Sequence, residues 1–172
     1  MSTDATLRAQ RIELLQRMPV FGAIRADTLS LLLEQAQMRD VPTGGWFFRE
    51  GDRADSMFVL ERGEVSVIRS WHGEDWVLHK LGAGDCFGEM ALMDLAPRSA
   101  SVRAEADCSA IEVDAGDLLQ LYEHDPEQFA LIQMNIGREV CRRLRAADDL
   151  LFRERQGGTP LAAEILFRAT PP

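Results

Sequence analysis

The stretch from Phe87 to Val102, FGEMALMDLAPRSASV, places a carboxylate at Glu89 and a guanidinium at Arg98 nine residues apart, among glycine, small hydroxylic residues and a proline. Phosphates bind well where backbone N–H groups converge at the start of a helix, because those donors lack intrahelical partners and the helix dipole favours an anion. Gly88 lets the backbone approach a ligand, Met90 to Met93 suit one helical turn, and Pro97 ends that turn. Arg98 follows the proline, and its planar fork matches two oxygens of one phosphate. Ser99 adds a hydroxyl donor, while Glu89 is an acceptor suited to a sugar hydroxyl and useless for a phosphate. A cation for phosphate and an anion for a hydroxyl describe a nucleotide. A surface ion pair between Glu89 and Arg98, worth about 0–1 kcal/mol, satisfies the same spacing.

The elements that must position these groups follow from periodicity. Apolar residues recur three and four apart from Leu7 to Met18 and from Asp27 to Gln37, which predicts two helices with Asp27 as the N-cap of the second. From Arg39 to Val113 short apolar or alternating runs are broken by Gly, Pro and Asp, which predicts seven or eight short strands. His72–Asp75 and Arg103–Asp107 read as hairpin connections. Strands joined this way favour a barrel or jelly roll, which limits exposed sheet edges. After Asp114 helical spacing returns, with a long helix from Asp125 to about Arg155 and Pro126 in its first turn. Its stripe of Phe129, Ile132, Ile136, Val140, Leu144, Ala147 and Leu151 exceeds what a small barrel can cover, so packing against a second copy is expected. Gln156–Pro160 ends regular structure and leaves a tail.

Composition narrows the function classes. The 172 residues suit one domain, and their net charge of −9 argues against a surface dedicated to nucleic acid. Lys80 is the only lysine; the densest arginine group, Arg138, Arg142, Arg143 and Arg145, reads as a solvated helix face. No apolar run is long enough to cross a bilayer, and the N-terminus lacks a signal-peptide pattern, so a cytoplasmic protein without membrane contact is expected. Cys86, Cys108 and Cys141 are odd in number, widely spaced and set in apolar patterns, as buried thiols would be. His72, His79 and His124 do not stand at ligand spacing for a metal or haem. No Ser-His-Asp arrangement, Walker loop or HExxH pattern supports an enzyme, and a lone Glu89 lacks a second acid or a metal for hydrolysis.

FGEMAL followed by PRSASV resembles the phosphate-binding cassette of the cyclic nucleotide-binding domain family. The likeness extends to VPTGGWFFREGDRADSMFVLERGEVSV, Val41 to Val67, with its glycines at 45, 51 and 63, and covers roughly Leu14 to Arg155. It implies an α+β fold: an eight-stranded antiparallel β jelly roll with N-terminal helices, a short phosphate-cassette helix and a long C-terminal helix. The corresponding boundaries are 1–37 for the N-terminal helices, 38–114 for the jelly roll with its cassette at 87–102, 115–156 for the closing helices and 157–172 for the tail. The ligand residues implied are Phe87, Gly88, Glu89, Met90, Ala91, Arg98, Ser99 and Ala100. Among them Glu89 would accept from the ribose 2′-hydroxyl and Arg98 would pair with the cyclic phosphate. Gly88 and Ala91 would give backbone contacts, and Ser99 matches a serine of the members resembling catabolite activator protein.

Base recognition departs from the family pattern, since alignment to the activator-like members puts Ala147 and Asp148 where they carry a threonine and a serine. Asp148 can accept from guanine or from the adenine amino group, or face solvent; the likeness of PRSASV to bacterial members favours cyclic AMP over cyclic GMP. The tail is too short for a helix-turn-helix domain, which implies either a stand-alone sensor acting through an unknown protein partner or a regulatory domain cut from a larger transcription regulator. The expected function is a non-catalytic receptor without metal or other cofactor, signalling through its long helix and a homodimer or partner interface. A jelly-roll interaction module that binds no nucleotide is the alternative.

Overall fold

The structure, a computed structural model, describes residues 2–155; the tail expected at 157–172 lies outside them. Two helices open the chain, α1 (Ser2–Gln16) and α2 (Ala26–Gln35), with a single 3-10 turn at Pro19–Phe21 between them. Eight strands follow: β1 (Gln37–Val41), β2 (Trp46–Phe48), β3 (Ser56–Arg62), β4 (Glu64–Trp71), β5 (Glu74–Gly82), β6 (Cys86–Phe87), β7 (Ser101–Ala104) and β8 (Cys108–Asp114). The short helix α3 (Met90–Asp94) sits between β6 and β7, and α4 (Ala115–His124) and α5 (Pro126–Arg155) close the chain. The strands form two four-stranded antiparallel sheets, ordered β1-β8-β3-β6 and β2-β7-β4-β5. This is the expected α+β jelly roll with flanking helices.

Period-two alternation in β3 and β8 shows how one sheet serves two cores. Met57, Val59, Ile111 and Val113 face the helices, where they meet Leu15, Phe21, Leu29, Leu32, Leu121, Ile132 and Ile136. Phe58, Leu60, Cys108 and Ala110 point inward, against Phe47, Val65, Leu81, Phe87 and Val102. A strand covered on both faces reads as a continuous apolar run, which explains FVL at Phe58–Leu60. Each fully buried side chain of this kind contributes roughly 1.5–3 kcal/mol.

Local signals explain the element ends. Asp114 and Asp117 form a reciprocal capping box at the start of α4. Asp125 accepts from the Gln128 N–H at 3.2 Å just before α5, with Pro126 as its first residue. The β4–β5 hairpin turns on His72 and Gly73, both at positive φ (52° and 82°), the geometry of a two-residue primed turn.

Three local expectations need correction. The Arg103–Asp107 segment is not a hairpin: β7 pairs with β2 and β4 while β8 pairs with β1 and β3, so this link crosses between sheets. Asp27 is not the N-cap of α2, which begins one residue earlier; its carboxylate accepts from the Thr28 N–H inside the first turn. Cys141 is exposed, unlike the buried Cys86 and Cys108, because it lies on the face of α5 turned away from the barrel, whereas Arg143 and Ala147 face it. The predicted stripe is divided as well: Ile132 and Ile136 are fully buried, whereas Leu144 and Leu151 are 60% and 58% exposed. Among the described residues no helix is long and apolar enough to cross a membrane.

Candidate functional site

Between the second sheet, α3 and α5 lies a cavity of about 420 Å³. All eight cassette residues singled out in the sequence line it, from Phe87 to Ala91 and from Arg98 to Ala100. Gly88 is at φ 81°, and a Cβ added there would come within 2.6 Å of Arg98 Nη1, so only glycine fits both the backbone and the guanidinium. α3 begins directly after Glu89 and is capped at its C-terminus by Leu95 in the left-handed region; Pro97 then leads into Arg98.

Arg98 is 6% exposed. Its Nη1 donates to the carbonyls of Ser56 at 2.7 Å and Gly88 at 3.0 Å, and its Nη2 donates to Ser56 Oγ at 3.1 Å. Its plane lies over the Phe48 ring, 4.0 Å from the centroid. These acceptors are neutral, and Nε is buried without a partner among the described residues. A guanidinium has five N–H donors, so two remain unspent, on the adjacent nitrogens Nε and Nη2. Desolvation draws the Arg98 pKa below its ordinary value, opposed by Asp55, Glu112, Asp52 and Glu89 at longer range. Arg98 lines the cavity, and a buried cation with two unspent N–H groups is complementary to an oxyanion.

Glu89 is 1% exposed, and its partner is not Arg98. Arg143 of α5 donates from Nη1 to Glu89 Oε1 at 2.5 Å, from Nη2 to the Cys86 carbonyl at 3.2 Å and from Nε to Glu139 Oε1 at 3.2 Å. Burial lowers the Arg143 pKa and Glu89 raises it; the net direction is upward. The Glu89–Arg98 surface pair is therefore absent, and both groups are buried. Arg143 corrects the reading of its cluster as a solvated face. It stands seven residues after Ile136 and four before Ala147, on the stripe that faces the barrel, and that spacing is the signal that could have found it.

Apolar side chains complete the cavity, chiefly Phe48, Val67, Leu78 and Val102, with Arg69 and His79 among them. His79 is held neutral, its pKa lowered to about 4 first by burial and second by the charge of Arg143. Ala147 lines the cavity; Asp148, one residue on, is exposed and does not. Among the described residues no group of three His, Cys, Asp or Glu side chains can hold a metal ion.

Comparison with known proteins agrees with this geometry. The family profile described as "Cyclic nucleotide-binding domain" matches residues 38–125. The chain is 33% identical to the cyclic AMP receptor protein of Thermus thermophilus over 87% of its own length and 70% of that protein's. It is 29% identical to a CRP-like cAMP-activated global transcriptional regulator of Mycobacterium tuberculosis over 84% of its length and 65% of the regulator's. The chain thus spans about two thirds of the length of these relatives. A solved cyclic nucleotide-binding domain from Methylobacillus flagellatus superposes with a TM-score of 0.76 at 24% identity, covering 87% of this chain and 84% of that one, and so shares the fold. The chain belongs to the cyclic nucleotide-binding domain family and is catabolite activator protein-like within it.

Proposed function

We propose that this chain is a receptor for a 3′,5′-cyclic purine nucleotide, cyclic AMP in preference to cyclic GMP, and that it signals without catalysing a reaction. The observation that carries this reading is the buried Arg98, which lines the cavity and keeps two N–H groups unspent. The cyclic phosphate sits on those donors and on the amides that open α3, with Ser99 adding its hydroxyl. The ribose 2′-hydroxyl donates to Glu89, whose second oxygen can accept while Oε1 holds Arg143. The base lies toward Val67, Leu78 and Ala147. The preference for cyclic AMP rests on the relatives named for that ligand.

The signal leaves through α5. Exposed or half-exposed residues recur along it with alternating spacings of three and four: Met134, Gly137, Cys141, Leu144, Asp148 and Leu151. That is a coiled-coil seam, and it supports a homodimer with Asp148 as its polar position. Ligand shifts the dimer by binding one placement of α5 better than another. Output passes to a protein partner, since the net charge of −9 disfavours direct contact with nucleic acid. Competition for a fluorescent cyclic nucleotide analogue tests the reading. Cyclic AMP should displace the analogue at lower concentration than cyclic GMP, and displacement by neither would refute it.

A further inference from the structure

A second cavity, of about 350 Å³, opens on another side of the cassette helix. Leu92 of α3, Leu118, Leu119 and Tyr122 of α4, and Phe129 and Gln133 of α5 line it. Leu118 is 4% exposed and makes the floor, while Leu119 and Tyr122 stand at the rim, 56% and 52% exposed. The Tyr122 ring meets Phe129 edge-on at 5.4 Å, which holds an aromatic wall upright beside the opening.

The helical segments that form this groove carry charge of one sign. Helices α3 and α4 and residues 126–137 of α5 contain no lysine or arginine; their charged side chains are Asp94, which lines the nucleotide cavity, and Asp117, Glu123 and Glu127. Arg25, which reaches α5 from outside, is spent on Asp125 and Asp27. Asp117 caps α4 and Glu127 lies in the first turn of α5, so both also suit their helices. Glu123 does not: a carboxylate in the last turn of α4 opposes the helix dipole, so its own helix gives no reason for it there.

We propose that this groove docks a basic amphipathic helix of a partner protein. An apolar stripe of such a helix fills the floor between Leu118, Leu119, Tyr122 and Phe129, and its flanking Lys and Arg residues meet the carboxylates carried by the helices that form the groove. The groove shares two walls with the nucleotide cavity. In α3, Met90, Ala91 and Asp94 line the cavity and Leu92 lines the groove; in α5, Arg143 and Ala147 line the cavity while Phe129 and Gln133 line the groove. A ligand that repositions α3 or α5 therefore reshapes the dock. This coupling rests on the receptor reading; the docking itself does not.

The probe is a fluorescent leucine–lysine peptide of about 18 residues, amphipathic as a helix, titrated into the full chain at physiological salt and read by anisotropy. Saturable one-to-one binding is expected. It should weaken on the order of tenfold with a scrambled peptide of the same composition, and likewise in Leu119→Ser, Tyr122→Ser and Glu123→Lys chains. Those three positions are exposed, and unchanged melting temperatures will show that the variants fold. Equal affinity for the scrambled peptide, or unchanged affinity in all three variants, overturns the dock. Self-association of the chain that these variants abolish overturns it in favour of a second copy. Saturating cyclic AMP should change peptide affinity about threefold or more. If cyclic AMP binds and peptide affinity stays constant, the coupling is wrong. If cyclic AMP does not bind, the receptor reading fails while the peptide data still judge the dock.

Discussion

Arg143 Nη1 and Glu89 Oε1 stand 2.5 Å apart across 54 residues of sequence, and this contact ties the long C-terminal helix to the cassette. Breaking it by removing the cation leaves a carboxylate that is 1% exposed without its charged partner. Arg143→Met should cost about 3 kcal/mol of unfolding free energy. Glu89→Gln in the same background should return part of that loss, because it removes the stranded charge. Denaturant melts of the two single variants and the double variant give the coupling, and simple additivity would show that the pair is energetically idle.

Gly88→Ala should damage stability and ligand affinity together. The new Cβ meets Arg98 Nη1 at 2.6 Å and the backbone stays at φ 81°, so about 1–2 kcal/mol of strain appears and the guanidinium must move. Binding should fall on the order of tenfold or more, measured by competition. Unaltered affinity would mean that Arg98 is not held by this backbone.

His79 gives the fold a pH signature. Its folded pKa, lowered to about 4 by burial and Arg143, lies below the ordinary value of 6.5, so the unfolded chain binds a proton that the folded chain refuses. Stability is fully present above pH 6.5 and falls as pH drops toward 4, by up to about 1.4 kcal/mol per pH unit. Melts of the parent and His79→Gln across that window should converge at low pH if this group is responsible. Parallel curves would remove it from the account.

The α5 seam predicts a dimer that a single charge opens. Leu144→Glu should shift the chain from dimer to monomer in sedimentation, with the melting temperature of the barrel nearly unchanged, because Leu144 is 60% exposed within one chain. Cys141 lies in the same seam, so mild oxidation should cross-link the parent chain and not the variant. A parent chain that sediments as a monomer at all concentrations would contradict the seam.

The jelly roll was legible because its strands and helices carry different periods, and because glycine and proline mark the turns at His72–Gly73 and Pro97. That Phe87 to Ala91 and Arg98 to Ala100 would come together was legible because they fall within one short segment, and they line one cavity. What escaped depends on distance in sequence. Arg143 reaches Glu89 only after α5 folds back over the barrel, and an arginine among three others on a helix reads as solvent-facing. The crossing at Arg103–Asp107 has hairpin composition, and only the pairing partners of β7 and β8 reveal that the chain changes sheets. Asp27 failed by an offset of a single residue, and Cys141 because it falls on the outer face of α5.

Isothermal calorimetry of cyclic AMP against the parent chain and Arg98→Ala tests the central claim most directly. The parent should bind one nucleotide per chain, and the variant, having lost a buried charge-assisted contact worth about 1.5–3 kcal/mol, should bind it on the order of ten- to a hundredfold more weakly. Equal affinity in both proteins, or no binding of either purine nucleotide by folded parent chain, would contradict the account.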